Sequence, residues 1–173
     1  MGMPRLRARH AGIASLIVLA ALAVPATTLA ASITGTSGLD TLHGTASADW
    51  IWGLGGNDHI YGDAGNDHLY GGDGADVIGG GTGADYVNGG AGNDGIYGGS
   101  GNDVLYGGAG NDLIGGGPGN DIVYGGYGDD VIVVGGDRNA DAVHCGPGND
   151  TAYLGRYDIA DSSCEHVIRT LEP

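Results

Sequence analysis

The sequence has no phenylalanine and no lysine, only two cysteines and five prolines, and six basic residues, all arginine, among 173 positions. Without lysine there is no Schiff-base nucleophile and no phosphate-binding loop of the lysine-tipped kind. Without phenylalanine, and with few large apolar side chains, an ordinary enzyme core packed around aromatics is excluded. So little positive charge against 21 acids, a formal net charge of −15, argues against nucleic acid and anionic membrane as partners and in favour of cations. Glycine is what the chain has instead, 39 residues of it, yet it does not recur every third position and proline is scarce, so collagen is excluded too. The composition by itself would allow simple disorder; the order of the residues speaks against it.

Residues 1–30 have the pattern of a secretory leader. Arg5, Arg7 and Arg9 precede an apolar run from Ala11 to Val24, Pro25 breaks it, and Thr28-Leu29-Ala30 offers small residues for cleavage after Ala30. An uncleaved anchor is the alternative, although the run is short for a span of about 20 residues. Cleavage would leave residues 31–173, with no membrane span expected in them, and with Arg138, Arg156 and Arg169 against 21 acids, a formal charge of −18.

From Gly35 the chain falls into eleven consecutive rows of nine residues, ending at Val133. Glycine opens every row. The sixth position is always aspartate: Asp40, Asp49, Asp58, Asp67, Asp76, Asp85, Asp94, Asp103, Asp112, Asp121 and Asp130. The eighth is always Leu, Ile or Val, from Leu42 and Ile51 to Ile132. Positions one to six are turn formers, and positions seven to nine suit a very short strand. Alternation turns the eighth side chain to one face and its two neighbours to the other. Two rows then make one coil, with the eighth residues of its two strands meeting in a thin aliphatic core. Each row buries one such side chain, worth roughly 1.5–3 kcal/mol, against roughly 1–2 kcal/mol of backbone entropy per ordered residue. A further source of binding free energy is expected, and a metal is the usual one for so small a core.

The unit Gly98-Gly99-Ser100-Gly101-Asn102-Asp103-Val104-Leu105-Tyr106 resembles the RTX, or hemolysin-type, nonapeptide. The resemblance covers about 100 residues and implies an all-β fold, a right-handed parallel β-roll (β-solenoid) with two short-stranded parallel sheets that binds Ca²⁺ in its turns. Elementary electrostatics leads the same way. Stacked coils bring aspartates of alternate rows about 4.8 Å apart, where two carboxylates repel by about 0.9 kcal/mol even at the dielectric of water. A hard divalent ion between them reverses the sign, and Ca²⁺ accepts six to eight oxygens at about 2.3–2.6 Å in flexible geometry. Eleven aspartates give nine such pairs, so up to about nine ions are expected, with Asp40 to Asp130 as ligands. Nine Ca²⁺ would offset a charge of −18. A metal-free solenoid with solvated Asp turns is the plain alternative. The first two rows depart from the pattern, with Thr36, Thr45 and Ser47 in place of glycines.

After Val133 the period slips. The reading places the roll at 31–153 and a cap at 154–173, because solenoid ends need closing. Cys145 and Cys164, the two cysteines of an exported chain, are expected to form a disulfide tying that cap down. A cysteine-bridged cap is similar to that of secreted bacterial RTX-repeat proteins and unlike RTX toxins. No enzyme is expected. Hydrolases and toxins that carry RTX repeats have a catalytic domain besides, for which the repeats leave no room. His59 and His68 fall on opposite faces, and Asp161, Ser162, Ser163 and His166 lie close in sequence without forming a triad pattern. On the even rows, Trp50, Trp52, Tyr70, Tyr86, Tyr106 and Tyr124 all face outward. They form a candidate platform for polysaccharide or a surface protein, with cross-strand stacking as the plainer reading. The function expected is that of a secreted, extracellular calcium-binding protein that folds on its ions, with an adhesion or matrix protein as the alternative.

Overall fold

The computed structural model describes residues 29–170. All but the last two residues of the leader assigned to 1–30 lie outside the described residues. The described chain is all β, and winds as a solenoid of about eight coils with one strand of each coil in each of two parallel sheets.

The even rows build the first sheet: β1 (Ser32–Thr34), β3 (Trp50–Gly55), β5 (His68–Asp73), β7 (Tyr86–Ala91), β9 (Val104–Ala109), β11 (Ile122–Tyr127), β13 (Ala142–His144) and β15 (Ile159–Ala160). The odd rows build the second: β2 (Thr41–His43), β4 (His59–Tyr61), β6 (Val77–Thr82), β8 (Gly95–Ser100), β10 (Leu113–Gly115), β12 (Val131–Val133), β14 (Thr151–Leu154) and β16 (His166–Arg169). Register is kept by the period: Leu69 pairs with Val87 and Val87 with Leu105, 18 residues apart. The expected eighth-position core is there in single file. Leu42, Ile60, Ile78, Ile96, Ile114 and Ile132 of the second sheet face Ile51, Leu69, Val87, Leu105 and Val123 of the first, all buried.

Several strands are twice as long as expected, running six residues through the two glycines and the third position of the next row. The reason is the close approach of successive coils. At Gly72, in the left-handed region at φ 112°, a side chain would run into the carbonyl of Leu54 one coil away. Where proline stands at the third position the ladder loses a bond: Pro118 has no N–H to donate and β10 ends at Gly115, while its carbonyl still accepts from the Gly101 amide at 2.9 Å.

The tail does not simply cover the end. It continues both sheets, since β15 pairs with β13 and β16 with β14, so the region expected as a cap is built as a last, irregular coil. The two-residue slip between β11 and β13, paired at a spacing of 20, is taken up around 134–141. There Val134 and Leu154 turn inward and close the core with Val143. Cys145 and Cys164 form the disulfide, with Cα atoms 5.1 Å apart. Arg169 donates to the carbonyls of Gly155 and Asp158 at 3.1 and 3.2 Å, fastening the last strand.

Candidate metal centre: two ladders of buried carboxylates

Positions six, eight and one alternate inward along each strand, so the sixth-position aspartates are walled in with the core. Asp49, Asp58 and Asp67 are fully buried and the rest are 7% exposed or less. These carboxylates are therefore not solvated. Nor do the carboxylates stand face to face. From Asp58 on, each holds its Oδ1 on the backbone N–H of the aspartate one coil before it: the Asp58 amide donates to Asp76 Oδ1 at 2.7 Å, Asp76 to Asp94 at 2.8 Å, and Asp94 to Asp112 at 2.8 Å. The ladder crosses the two-residue slip unbroken, with Asp121 donating to Asp141 and Asp130 to Asp150, both at 2.8 Å.

The second oxygen is different. Oδ2 of Asp58, Asp67, Asp76, Asp85, Asp94, Asp103, Asp112, Asp121, Asp130, Asp141 and Asp150 is buried and accepts no hydrogen bond. A buried acceptor with no donor costs about 1–3 kcal/mol, more when charged. Burial accordingly pushes the carboxyls of Asp85, Asp94, Asp112, Asp121 and Asp130 up to about 6, and that of Asp141 to about 7, with neighbouring carboxylates adding to the rise.

The surroundings of Oδ2 are oxygen-rich. A methyl group built on Gly53 would lie 2.5 Å from Asp58 Oδ2 and 2.5 Å from the carbonyl oxygen of Gly71 in the next coil. The opening glycine thus leaves a cradle lined by one carboxylate oxygen and one carbonyl in every regular row but that of Gly116, where the side chain of Val134 takes the place of the carbonyl. Among the described residues no three His, Cys, Asp or Glu side chains gather at one point. The donors are hard oxygens shared between coils, which suits Ca²⁺ and not zinc.

Recurrence of this turn, with its opening glycine and walled-in sixth-position carboxylate, decides the family. The chain belongs to the RTX calcium-binding nonapeptide repeat family. Its family model, four repeats long, matches residues 34–69, 54–87, 70–105, 79–114 and 106–141. Among curated proteins none matches the chain.

In this RTX roll the expected ligands divide. Asp58 to Asp130 share the open Oδ2. Asp40 and Asp49, also expected as ligands, have theirs occupied: Thr36 donates to Asp40 Oδ2 from its amide at 2.5 Å and its hydroxyl at 2.9 Å, and Thr45 does the same to Asp49 at the same two distances. Asp141 and Asp150 share the open oxygen; the sequence places them in two further, irregular rows, the second opened by Cys145, and the expected ligands stop with the regular rows at Asp130.

The fifth position carries a second ladder that sequence reasoning missed. Asn57 Oδ1 accepts from the Ala75 amide at 3.0 Å, Asn66 from Ala84, and Asn93, Asn102 and Asn111 from the fifth-position amides of the next coil, each at 2.9 Å. It runs opposite to the aspartate ladder and ties up turn amides without metal. The recurrence of asparagine before aspartate was its only signal.

The six aromatics of the even rows do share one face, where they stack on one another. Trp50 lies on His68 at 4.1 Å, Trp52 on Tyr70 at 6.0 Å, Tyr106 on Tyr124 at 4.6 Å and Tyr124 on His144 at 4.9 Å. Tyr70, Tyr86 and Tyr106 join the two ends at 5.4–5.7 Å. In the stacked pairs the ring faces that a sugar would need are turned toward each other, while Tyr86 is tilted by 45° and 42° to its neighbours Tyr70 and Tyr106. In the last coil His144 Nδ1 meets Asp161 Oδ2 at 2.7 Å, and the Ser163 hydroxyl donates to Asp161 Oδ1. The carboxylate sits in the middle, so the imidazole does not touch the serine, and the order is wrong for nucleophile activation. Ser163 instead accepts from the Cys145 and Gly146 amides at 3.0 and 3.1 Å, binding the last coil to the one before it.

Proposed function

We propose that the chain is exported, loses residues 1–30, and acts outside the cell as a non-catalytic calcium-binding roll, residues 31–153 with a cap at 154–173, that completes its fold as Ca²⁺ loads. The observation that carries this reading is the set of buried Oδ2 atoms without a donor. The protein's own groups satisfy one oxygen of each of these carboxylates and leave the other in an oxygen-lined cradle. Ca²⁺ bound there would supply the positive charge and the missing contacts that burial took from water. The chain's part is to hold Oδ1 on the preceding amide, aim Oδ2 inward, keep the opening position of the regular rows free of a side chain and exclude solvent. Folding and ion binding are then one event, and up to about nine ions would neutralise the exported chain. The adhesion alternative through the Trp50–Tyr124 face gains nothing from the geometry, because stacking uses the ring faces.

The test is far-UV circular dichroism of residues 31–173 in EGTA, then in calcium, then in equal magnesium. A cooperative gain of β signal in calcium alone is expected. A chain already folded in EGTA and indifferent to calcium would sink the reading.

A further inference from the structure

We propose that the ion ladder of this chain begins at Asp58 and ends at Asp150: Asp40 and Asp49, which the repeat marks as ligands, are closed by the hydroxyls of Thr36 and Thr45, while Asp141 and Asp150, beyond the regular period, are open. This rests on the calcium reading above and sets its limits.

At the start of the roll the cause is a side chain. The second position of a regular row lies in the left-handed region, as at Gly72, Gly81, Gly90 and Gly99. A β-branched residue is a poor fit there. Thr36 and Thr45 are not among the residues with positive φ. Their turns stay outside the regular conformation and carry both amide and hydroxyl onto the carboxylate. Each hydroxyl also accepts from the amide two residues on, Gly38 and Ser47, both at 3.2 Å, which fixes its direction. The Ala31 amide adds a bond to Asp49 Oδ1. If export removes residues 1–30, that amide becomes an ammonium, so the carboxylate at the open end gains a positive partner from the chain itself. Both Oδ2 atoms therefore have what the other rows lack.

At the far end the closing groups come later than the repeat suggests. Asp141 and Asp150 are 2% exposed or less, accept through Oδ1 from Asp121 and Asp130, and have Oδ2 bare. The next acidic residue of the inner row, Asp158, is spent on protein donors: Oδ1 takes the Asp141 amide at 3.2 Å and Oδ2 the Gly155 amide at 2.6 Å. On the other edge the Asp150 amide is received by Glu165 instead of another aspartate. The ladder therefore stops where the chain supplies its own donors at both ends. Eleven carboxylates remain open, as many as the repeat count gave, but displaced along the roll.

The experiment counts calcium bound per mature chain, residues 31–173, after gel filtration in calcium, with circular dichroism to check each fold. Asp40→Asn with Asp49→Asn should leave the count unchanged. Asp141→Asn with Asp150→Asn should lower it by at least one ion, as should the internal pair Asp76→Asn with Asp94→Asn. Thr36→Gly with Thr45→Gly, which restores the regular row and needs no carboxylate changed, should raise the count by at least one. A fall on the first pair, no change on the second, or no rise in the glycine variant overturns the proposal while leaving the calcium reading intact. A wild-type chain that binds no calcium overturns both.

Discussion

At the residue scale the roll is governed by two places where a Cβ matters. The opening glycine is one. At Gly98 a methyl would lie 2.5 Å from Asp103 Oδ2 and 2.7 Å from the Gly116 carbonyl oxygen. Gly98→Ala should cost roughly 1–3 kcal/mol by overpacking and weaken calcium binding with it, measured by urea denaturation at fixed calcium. The second position is the other. Leu54 stands there at φ 81° where most later rows have glycine, and its side chain is exposed. Leu54→Gly should stabilise the folded chain by up to about 1 kcal/mol, since a left-handed L-residue costs roughly that much or more, partly offset by the looser unfolded chain. The carboxylates themselves set the pH response. Their folded values are raised by burial, to about 6 at Asp85 and about 7 at Asp141. They therefore bind protons more tightly folded than unfolded. In EGTA this stabilisation is fully present below the ordinary carboxylate value and is lost as pH rises through about 6 to 7. In EGTA the β signal in circular dichroism, weak at pH 8, should therefore grow as pH falls to 5. In saturating calcium the order should reverse, because protons then displace the ion.

At the element scale, strands of three to six residues are stable because all but the end strands are hydrogen-bonded on both sides and those of the first sheet are also stacked on their outer face. Tyr106 sits between Tyr86 at 5.4 Å and Tyr124 at 4.6 Å in the ring column of the first sheet. Each aromatic pair is worth about 0.5–1.5 kcal/mol beyond its burial. Tyr106→Ala should therefore lower stability by roughly 1–3 kcal/mol and leave the number of bound ions unchanged, read from thermal midpoints and calcium counts on the same samples. The second sheet has no such continuous column. Gly79 and Gly115 interrupt it, and Tyr97 leans over Gly115 instead, which would bring a Cβ within 3.0 Å of the ring. How far the strands would run was not legible in the three residues that favour β structure. It depends on glycine backbones lying close enough to pair through the turn, a property of stacked coils and not of one row.

At the scale of the whole molecule a solenoid has two ends and must stop at both. The first is closed by threonine hydroxyls and the second by an irregular coil, inward-turned Val134 and Leu154, and the Cys145–Cys164 bond. The cysteines are 19 residues apart, and closing a loop of that length is worth about 3 kcal/mol in the chain-entropy model. Cys145→Ser with Cys164→Ser should lower stability by about that amount and destabilise the last coil first. Protection of the Thr151–Leu154 and His166–Arg169 amides should fall before that of Ile96 or Leu105 in hydrogen exchange. Equal loss along the whole roll would show instead that the disulfide acts on the entire fold.

The amino-acid sequence determined the period, and with it the fold class, the inward column of Leu, Ile and Val, the burden of negative charge and the nine-residue spacing of the carboxylates, because all of these follow from which residue stands at which position of a row. The cysteine pair and the shared aromatic face were legible for the same reason. Only the tertiary structure decided which oxygen of each carboxylate is held and which is bare, since that depends on an amide 18 or 20 residues away in the neighbouring coil. It decided likewise that Asp40 and Asp49 differ from their repeats, that Asp141 and Asp150 rejoin the ladder across the slip, and that the rings spend their faces on one another. Those are contacts between coils, and no single row contains them.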